Sequence, residues 1–219
     1  MSESEIITVL LLFHFGTFHN FKHFYLFYIG EHLKKEFPKQ RSYNRFVEIE
    51  HKVFIPMMFF INIACLGKCT GITFVDSTKI AVCNNKRIKR NRVFKDVAKI
   101  GKSTMGRFYG FKLHLICNDR GELLSFCLTP GNVDDRNQNI FKVLMKNLFG
   151  KIFGDRGYIS SSLFEMLLDN GIHLVTGIKS NMKNRLMSLR DRILLRTRFE
   201  HNADGIRKII FQYFTYFKP

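Results

Sequence analysis

The first seventy residues carry apolar side chains at helical spacing. Ser2 and Glu5 have the spacing of a capping box, and a mostly apolar run follows over residues 6–13. Aromatic residues then recur at steps of three and four between Phe18 and Tyr28, which is the period of one helix face. These patterns predict a helical region over residues 1–70.

From residue 71 the apolar period changes to two, which is typical of a β-strand. Ile72 and Phe74 alternate with Thr73 and Val75, and polar residues follow. We therefore expect a strand that ends near Asp76 and presents this carboxylate at its end.

The later part of the chain alternates between the two periods. The predicted elements are a hairpin with strands over residues 111–118 and 123–129, a helix that Asp134 caps and that ends at Gly150, a strand over residues 151–154 that delivers Asp155, a helix over residues 160–169, and a strand over residues 173–178. Strands followed by strand-helix units indicate the α/β class, with a mixed sheet flanked by helices.

The charge of the chain is strongly positive. Lys and Arg number 35 against 18 Asp and Glu, a formal net charge of +17. Such a chain attracts polyanions, which makes nucleic acid the first candidate partner. A lysine-rich coding bias would produce the same charge, so charge alone leaves that alternative open.

Residues 84–110 contain nine basic residues and a single acid, Asp96. We interpret this segment as a basic loop that contacts the DNA phosphate backbone without reading sequence. Its segment GKST at residues 101–104 resembles the end of a P-loop, but Asp96 stands where the first glycine belongs, which argues against ATP binding. The predicted DNA-binding residues are Lys86, Arg87, Lys89, Arg90, Arg92, Lys95, Lys102, Arg107 and Lys112.

Cysteine and hydropathy patterns restrict the location of the protein. The five cysteines are odd in number and lack zinc-finger spacing, as expected for reduced thiols in a reducing cytosol. The N-terminus is acidic where a secretory signal is basic. The apolar run over residues 53–67 contains Pro56 and Asn62, so we expect buried core and no membrane partner.

Two aspartates are candidates for metal-assisted phosphoryl transfer. Asp76 and Asp155 each follow a short apolar strand, and hard carboxylate oxygens are the ligands that Mg²⁺ prefers. The two could meet on adjacent strand ends, but from this pattern alone each aspartate could instead cap a turn. A glycosidase, which also uses paired carboxylates, would have no evident use for the positive charge.

Several segments resemble DDE transposases of the IS4/IS5/IS982 insertion-sequence group, and they are most like the IS982 family. The first two aspartate motifs are TFVDST at residues 73–78 and FGDRGY at residues 153–158. The similarity spans most of residues 5–198 and continues through VFKD at residues 93–96, GRFYGFKLHL at 106–115, LTPGN at 128–132 and GIKSNMK at 177–183.

The resemblance implies an RNase H-like fold and a catalytic set ordered Asp, Asp, Glu. Asp76 would bridge two divalent ions, Mg²⁺ or Mn²⁺, and Asp155 would hold one of them. The implied activity is cleavage and joining of DNA strands at the element's terminal repeats and at target DNA. The implied division is a helical region that binds DNA or has an accessory role over residues 1–70, a catalytic domain over 71–198 and an atypical tail over 199–219.

The third carboxylate departs from the family pattern. The family places a Glu shortly after a stretch like Arg196-Thr197-Arg198, and here Glu200 comes about two residues early. The tail from Phe199 onward does not resemble the family, which a frameshift or truncation would explain. Asp134 and Asp135 are better interpreted as helix caps.

Two functions therefore stay open: an active transposase that uses Glu200, and an inactive remnant that only binds DNA. A general RNase H-like nuclease is a weaker third alternative, because the resemblance to transposases extends through non-catalytic segments. The sequence leaves the oligomeric state open, with a homodimer as one option.

Overall fold

Two compact units make up the protein in this computed structural model. The structure describes residues 1–92, 94–103, 106–178 and 187–196. Of these, residues 1–65 belong to the first unit and residues 66–196 to the second. Among the described residues, no helix has the length and apolar character needed to cross a membrane.

The first unit is helical and has an aromatic core. The predicted capping box is present at its start, since Ser2 N donates to Glu5 Oε2 at 2.6 Å and Ser2 Oγ accepts from Glu5 N at 3.2 Å. Phe24, Tyr25 and Phe46 are fully buried. The helical N-terminal region is therefore confirmed. Its helices are α1 (Glu3–Phe15), α2 (Phe21–His23) continuing as a π-helix (Phe24–His32), α3 (Tyr43–Ile49) with a 3-10 turn (Glu50–Val53), and α4 (Phe54–Phe60) with a π turn (Ile61–Cys65).

The second unit is a mixed sheet of six strands. Its strands are β1 (Ile72–Cys83), β2 (Lys99–Ser103), β3 (Gly106–Asn118), β4 (Leu123–Pro130), β5 (Gly150–Gly154) and β6 (Ile172–Thr176). The strand order is β2-β3-β1-β5-β6, and β4 pairs with β3 as well. The pairs made by β3 are antiparallel, whereas β1, β5 and β6 are parallel. The predicted RNase H-like mixed sheet is confirmed.

Three helices accompany this sheet: α5 (Gln138–Leu144), α6 (Ser161–Asp169) and α7 (Leu189–Arg196). Val75 of β1 and Ile152 of β5 are buried in one cluster with Phe141 of α5 and Leu167 of α6. Because successive strand residues point to opposite faces, this cluster fixes which residues of β1 and β5 face the helices. The residues that alternate with them along β1 and β5 therefore lie on the opposite face of the sheet.

Three details of the predicted secondary structure are wrong, and two of them concern strands. β1 continues to Cys83, so Asp76 lies within the strand; the reason is that residues 77–83 still pair with β3, and Ile80 is buried. The basic segment is not all loop, because β2 forms within it by pairing with residues 106–110 of β3.

The helix after β4 begins later than predicted and ends earlier. Asn137 caps α5 by accepting from Asn139 N at 2.9 Å. Asp134 lies four residues before the helix, and its carboxylate instead accepts from Arg136 N at 2.9 Å and binds the Arg136 guanidinium at 2.6 and 2.9 Å. The helix ends at Leu144, and Asn147 follows with a positive φ of 65°.

The helix-sheet contact gives a first prediction. Phe141 is fully buried, and Phe141→Ala should lower the free energy of unfolding by about 3–5 kcal/mol because it leaves a cavity. Val143 lies on the same helix and is 51% exposed. Val143→Ala should therefore cost less than about 1 kcal/mol. Equal losses in urea titrations of the two variants would contradict the assigned core.

Candidate active site

Asp76 lies within β1, and Asp155 directly follows β5, the parallel strand beside it. The register of β1 and β5 ends with Phe74 opposite Phe153. Each aspartate follows two residues after its phenylalanine, so both carboxylates come from the same end of the pair. Adjacent strands lie about 4.8 Å apart. The structure therefore brings together the two aspartates that the sequence singled out.

Both carboxylates are exposed, and each accepts a local hydrogen bond. Asp76 Oδ1 accepts from Ser77 N at 2.8 Å. Asp155 Oδ1 accepts from Gly157 N at 2.8 Å and caps the 3-10 turn Arg156–Tyr158. The capping role considered for Asp155 is therefore real. It uses one oxygen and leaves the carboxylate open to solvent.

Tyr158 forms the buried wall behind this pair. Its side chain is 2% exposed and its ring meets Phe141 edge-on at 6.0 Å. Burial is the largest cause that holds its pKa far above the usual value, and the negative charges of Asp76, Asp135 and Asp155 raise it further. The phenol is thus a neutral group beside three acids, and within the described residues its oxygen meets no partner with hydrogen-bond geometry.

The donor set fits a divalent ion in part. Two solvent-exposed carboxylates at adjacent strand positions provide hard oxygen ligands, and Mg²⁺ completes its octahedral shell with water and substrate phosphate. Within the described part of the chain, no group of three or more acidic, His or Cys side chains is placed to hold an ion. Glu200, the predicted third carboxylate, lies outside the described residues.

A polar cluster lies around β3, which pairs with the edge of β1 opposite to β5. His114 pairs with Ser77 in the register of β3 and is 1% exposed. Its Nε2 lies 2.9 Å from Thr129 Oγ1, and its Nδ1 lies 3.9 Å from Asp135 Oδ1. Burial, opposed by Asp135, lowers the pKa of His114 to about 4, so the ring is neutral at physiological pH. Sequence analysis did not predict this cluster, because it joins His114 of β3 to residues 15 and more positions later along the chain.

Lys112 belongs to this cluster and differs from the other predicted DNA-binding residues. Its ammonium donates to Val133 O at 2.9 Å and to Asp135 Oδ1 at 3.1 Å, and its side chain is only 13% exposed. Direct contact with a DNA phosphate would require this pair to open. Its position therefore indicates a structural role.

The other eight predicted cations are all exposed. Four of them lie on the 3-10 turn Asn85–Arg90, which Asn85 fixes by donating from Nδ2 to Arg107 O at 2.8 Å. Lys102 and Arg107 are directly paired across β2 and β3, an arrangement of like charges that a bound polyanion would relieve. Across the described ranges, no ion pair involves any of the eight: Lys86, Arg87, Lys89, Arg90, Arg92, Lys95, Lys102 and Arg107.

A further contact that the sequence did not reveal joins α7 to β5. Lys151 Nζ lies 2.8 and 2.9 Å from the two carboxylate oxygens of Asp191. Asp191 is 13% exposed, and Lys151 lowers the pKa of this carboxyl. The pair fixes α7 beside the strand that leads to Asp155.

Comparison with known proteins gives a family match. A family model described as "Transposase DDE domain" matches residues 66–211, which is about two thirds of the chain. The match continues beyond Phe199, so the prediction that the resemblance ends there is wrong. No curated protein matches.

Among solved structures, the chain is similar to the piggyBac transposase in a synaptic complex with hairpin DNA. The TM-score is 0.48 at 12% sequence identity. The similarity covers 90% of this chain and 45% of the piggyBac chain, so the present chain spans less than half of that protein.

The buried histidine gives a prediction for pH dependence. The pKa of His114 is lowered from 6.5 to about 4 in the folded state, so the unfolded chain takes up its proton first as the pH falls. Its contribution to stability is therefore present above pH 6.5 and is lost towards pH 4, at a cost of about 3 kcal/mol. His114→Gln should remove this loss.

The free energy of unfolding of the wild type and of His114→Gln is measured by denaturant titration at pH 7 and at pH 4.5. Glu50, whose pKa burial raises to about 7, acts in the opposite direction in the first unit, but it is present in both proteins and cancels in the difference. An identical pH dependence in wild type and variant would contradict a neutral, buried His114.

Proposed function

The chain belongs to the transposase DDE domain family, and we propose that it cleaves and joins DNA strands at the terminal repeats of an insertion sequence. The observation that carries the proposal is the placement of Asp76 and Asp155. They extend equivalent positions of two parallel strands and are both open to solvent. Such a pair suits phosphoryl transfer, in which positioning and electrostatic stabilisation dominate.

Asp76 and Asp155 would hold divalent ions, either Mg²⁺ or Mn²⁺, with two ions in the complete site. Such ions would activate the attacking oxygen and stabilise the negative charge that develops on the phosphodiester. The Gly157 N–H orients the carboxylate of Asp155. Tyr158 supports the turn that carries this carboxylate from the buried side.

DNA would be the partner in two roles, as the terminal repeat that is cleaved and as the target that is joined to it. The exposed cations around β2 would hold the phosphate backbone through charge, which positions DNA without reading its sequence. The first unit would add DNA contacts or serve as an accessory region. We further propose membership of the IS982 group, action in the bacterial cytosol or nucleoid, and a homodimeric assembly as one option.

An inactive remnant that only binds DNA is the second candidate function. It is favoured by the position of Glu200, which comes about two residues earlier than the family pattern places the third carboxylate. Glu200 is the substitute that the sequence offers for the third. The two candidates differ in one observable, because only the enzyme nicks DNA in a metal-dependent manner.

Isosteric substitutions of the aspartates separate these candidates. In the active enzyme, Asp76→Asn and Asp155→Asn should each lower Mg²⁺-dependent nicking of labelled terminal-repeat DNA at least about a hundredfold, since each removes a charged metal ligand. DNA binding should be retained. Asp169→Asn, at an exposed position on α6, is the matched control and should leave nicking unchanged.

If both aspartate variants nick DNA at the wild-type rate, the assigned site is contradicted. Binding without nicking in the wild type, with either Mg²⁺ or Mn²⁺, would establish the remnant. If the wild type nicks DNA, Glu200→Gln reports on the third metal ligand, because it should abolish nicking only if Glu200 completes the set of three carboxylates.

Charge reversal tests the basic surface. Lys86→Glu with Arg87→Glu should weaken DNA binding for all sequences alike and flatten the plot of log affinity against log salt by about two units, one for each lost phosphate contact. Lys142→Glu with Lys146→Glu makes the same change in net charge at exposed positions on and just after α5. An equal flattening in both double variants would show that net charge acts without a defined surface.

A further inference from the structure

A cavity of about 510 Å³ lies beside β2 in the second unit. Its walls come from the 3-10 turn Asn85–Arg90, the segment that follows this turn, β2, and the loop after β4. This volume falls in the range of roughly 300–1,000 Å³ that is typical of ligand sites. Neither Asp76 nor Asp155 lines this cavity.

Close backbone packing brings the loop after β4 to the cavity. A side chain on Gly101 would collide with the backbone of Gly131, so only glycine allows this approach. Gly131 N donates to Gly110 O at 2.9 Å, which fixes the loop against β3. The next residue, Asn132, thereby lines the cavity and is exposed.

One wall of the cavity is apolar. Ile100 pairs with Tyr109 in the register of β2 and β3, so the two side chains lie on the same face of the hairpin. Ile100 is 53% exposed. Tyr109 is only 6% exposed, and its Oη donates to Phe94 O at 3.0 Å, so the ring is held in place and only a small part of it reaches the cavity. A large apolar side chain therefore borders an open cavity next to a fixed aromatic ring.

The remaining lining is polar and basic. Lys89, Lys95 and Lys99 are exposed, and none of the described residues that line the cavity is acidic. Asn91 and Asn132 add two amides, which can both donate and accept hydrogen bonds. A phosphate alone would use the lysines and have no need of the apolar wall, whereas an apolar ligand would have no need of three cations. A nucleotide has a flat ring, polar ring edges and a phosphate, and so matches all three kinds of lining.

We propose that this cavity binds one unpaired nucleotide of a DNA strand, an inference that rests on the proposed function of the basic surface in DNA binding. The base packs against the exposed Ile100, beside the edge of the cavity that Tyr109 closes, and Asn132 contacts its polar edge. Lys89, Lys95 and Lys99 hold the flanking phosphates. Ile100 and Asn132, which contact the base, carry no charge and are distinct from the cations that bind duplex backbone, whereas Lys89 and Lys95 belong to both sets.

The test compares two labelled duplexes of equal length. One is fully paired, and the other carries 2-aminopurine opposite an abasic site, which leaves that base unpaired. Wild type should bind the second duplex at least about fivefold more tightly, the lower end of what stacking one base contributes. The emission of 2-aminopurine should change on binding.

Three variants assign the preference to the cavity. Asn132→Phe fills its mouth without changing charge, and should abolish the preference while leaving affinity for the paired duplex within about twofold. Ile100→Ser removes the apolar wall from an exposed position, and should abolish it as well. Asn139→Phe makes the same substitution as the first variant at an exposed position on α5, and should retain the preference.

The outcomes separate the cavity from the proposed function. Equal binding of both duplexes by wild type, or a preference that survives in Asn132→Phe or in Ile100→Ser, would overturn the nucleotide site while leaving DNA binding intact. Failure of the wild type to bind either duplex would contradict the proposed function itself.

Discussion

The parallel pairing of β1 with β5 is the contact on which the candidate site depends. It is short, with Ile72, Thr73 and Phe74 opposite residues 151–153. Two features maintain its register. Ile152 and Val75 are buried against the helices, and a side chain on Gly150, whose φ is +86°, would collide with the backbone of Gly71. A slip of one residue would turn one aspartate to the opposite face and separate the pair.

Opposite charges are separated along β3. This strand pairs with Asp76 at Leu115 and carries Arg107 near its other end. Eight residues of strand extend over roughly 27 Å, most of one turn of duplex DNA. The acidic pair and the exposed cations therefore lie far enough apart to avoid neutralising each other. They are close enough for one DNA segment to contact both.

Local pattern predicted the elements whose formation depends on local signals. The capping box at Ser2, the hairpin around Gly121 and the strand before Asp155 all follow from spacing within a few residues. β2 was missed because Lys99–Ser103 has no alternation and contains a glycine and two lysines; it becomes a strand only through its pairing with β3 and the contact of Gly101 with Gly131.

The candidate site was predicted in part. Asp76 and Asp155 are 79 positions apart, and no local signal states that they meet; the family resemblance supplied that expectation, and the register of β1 and β5 explains it. The pair of Lys112 with Asp135, the buried His114 and the pair of Lys151 with Asp191 depend on contacts between distant segments, which spacing does not encode. Glu200 as third ligand stays a prediction.

The central claim is that Asp155 is a metal ligand in a DNA-cleaving site. Its most direct test is DNA nicking by Asp155→Cys in Mg²⁺ and in Mn²⁺, because a thiolate is a poor ligand for the hard Mg²⁺ ion and a better one for a softer transition metal. The account predicts that wild type nicks DNA with either ion, whereas the variant is inactive in Mg²⁺ and regains activity in Mn²⁺. Equal activity of the variant and the wild type in Mg²⁺ would contradict it.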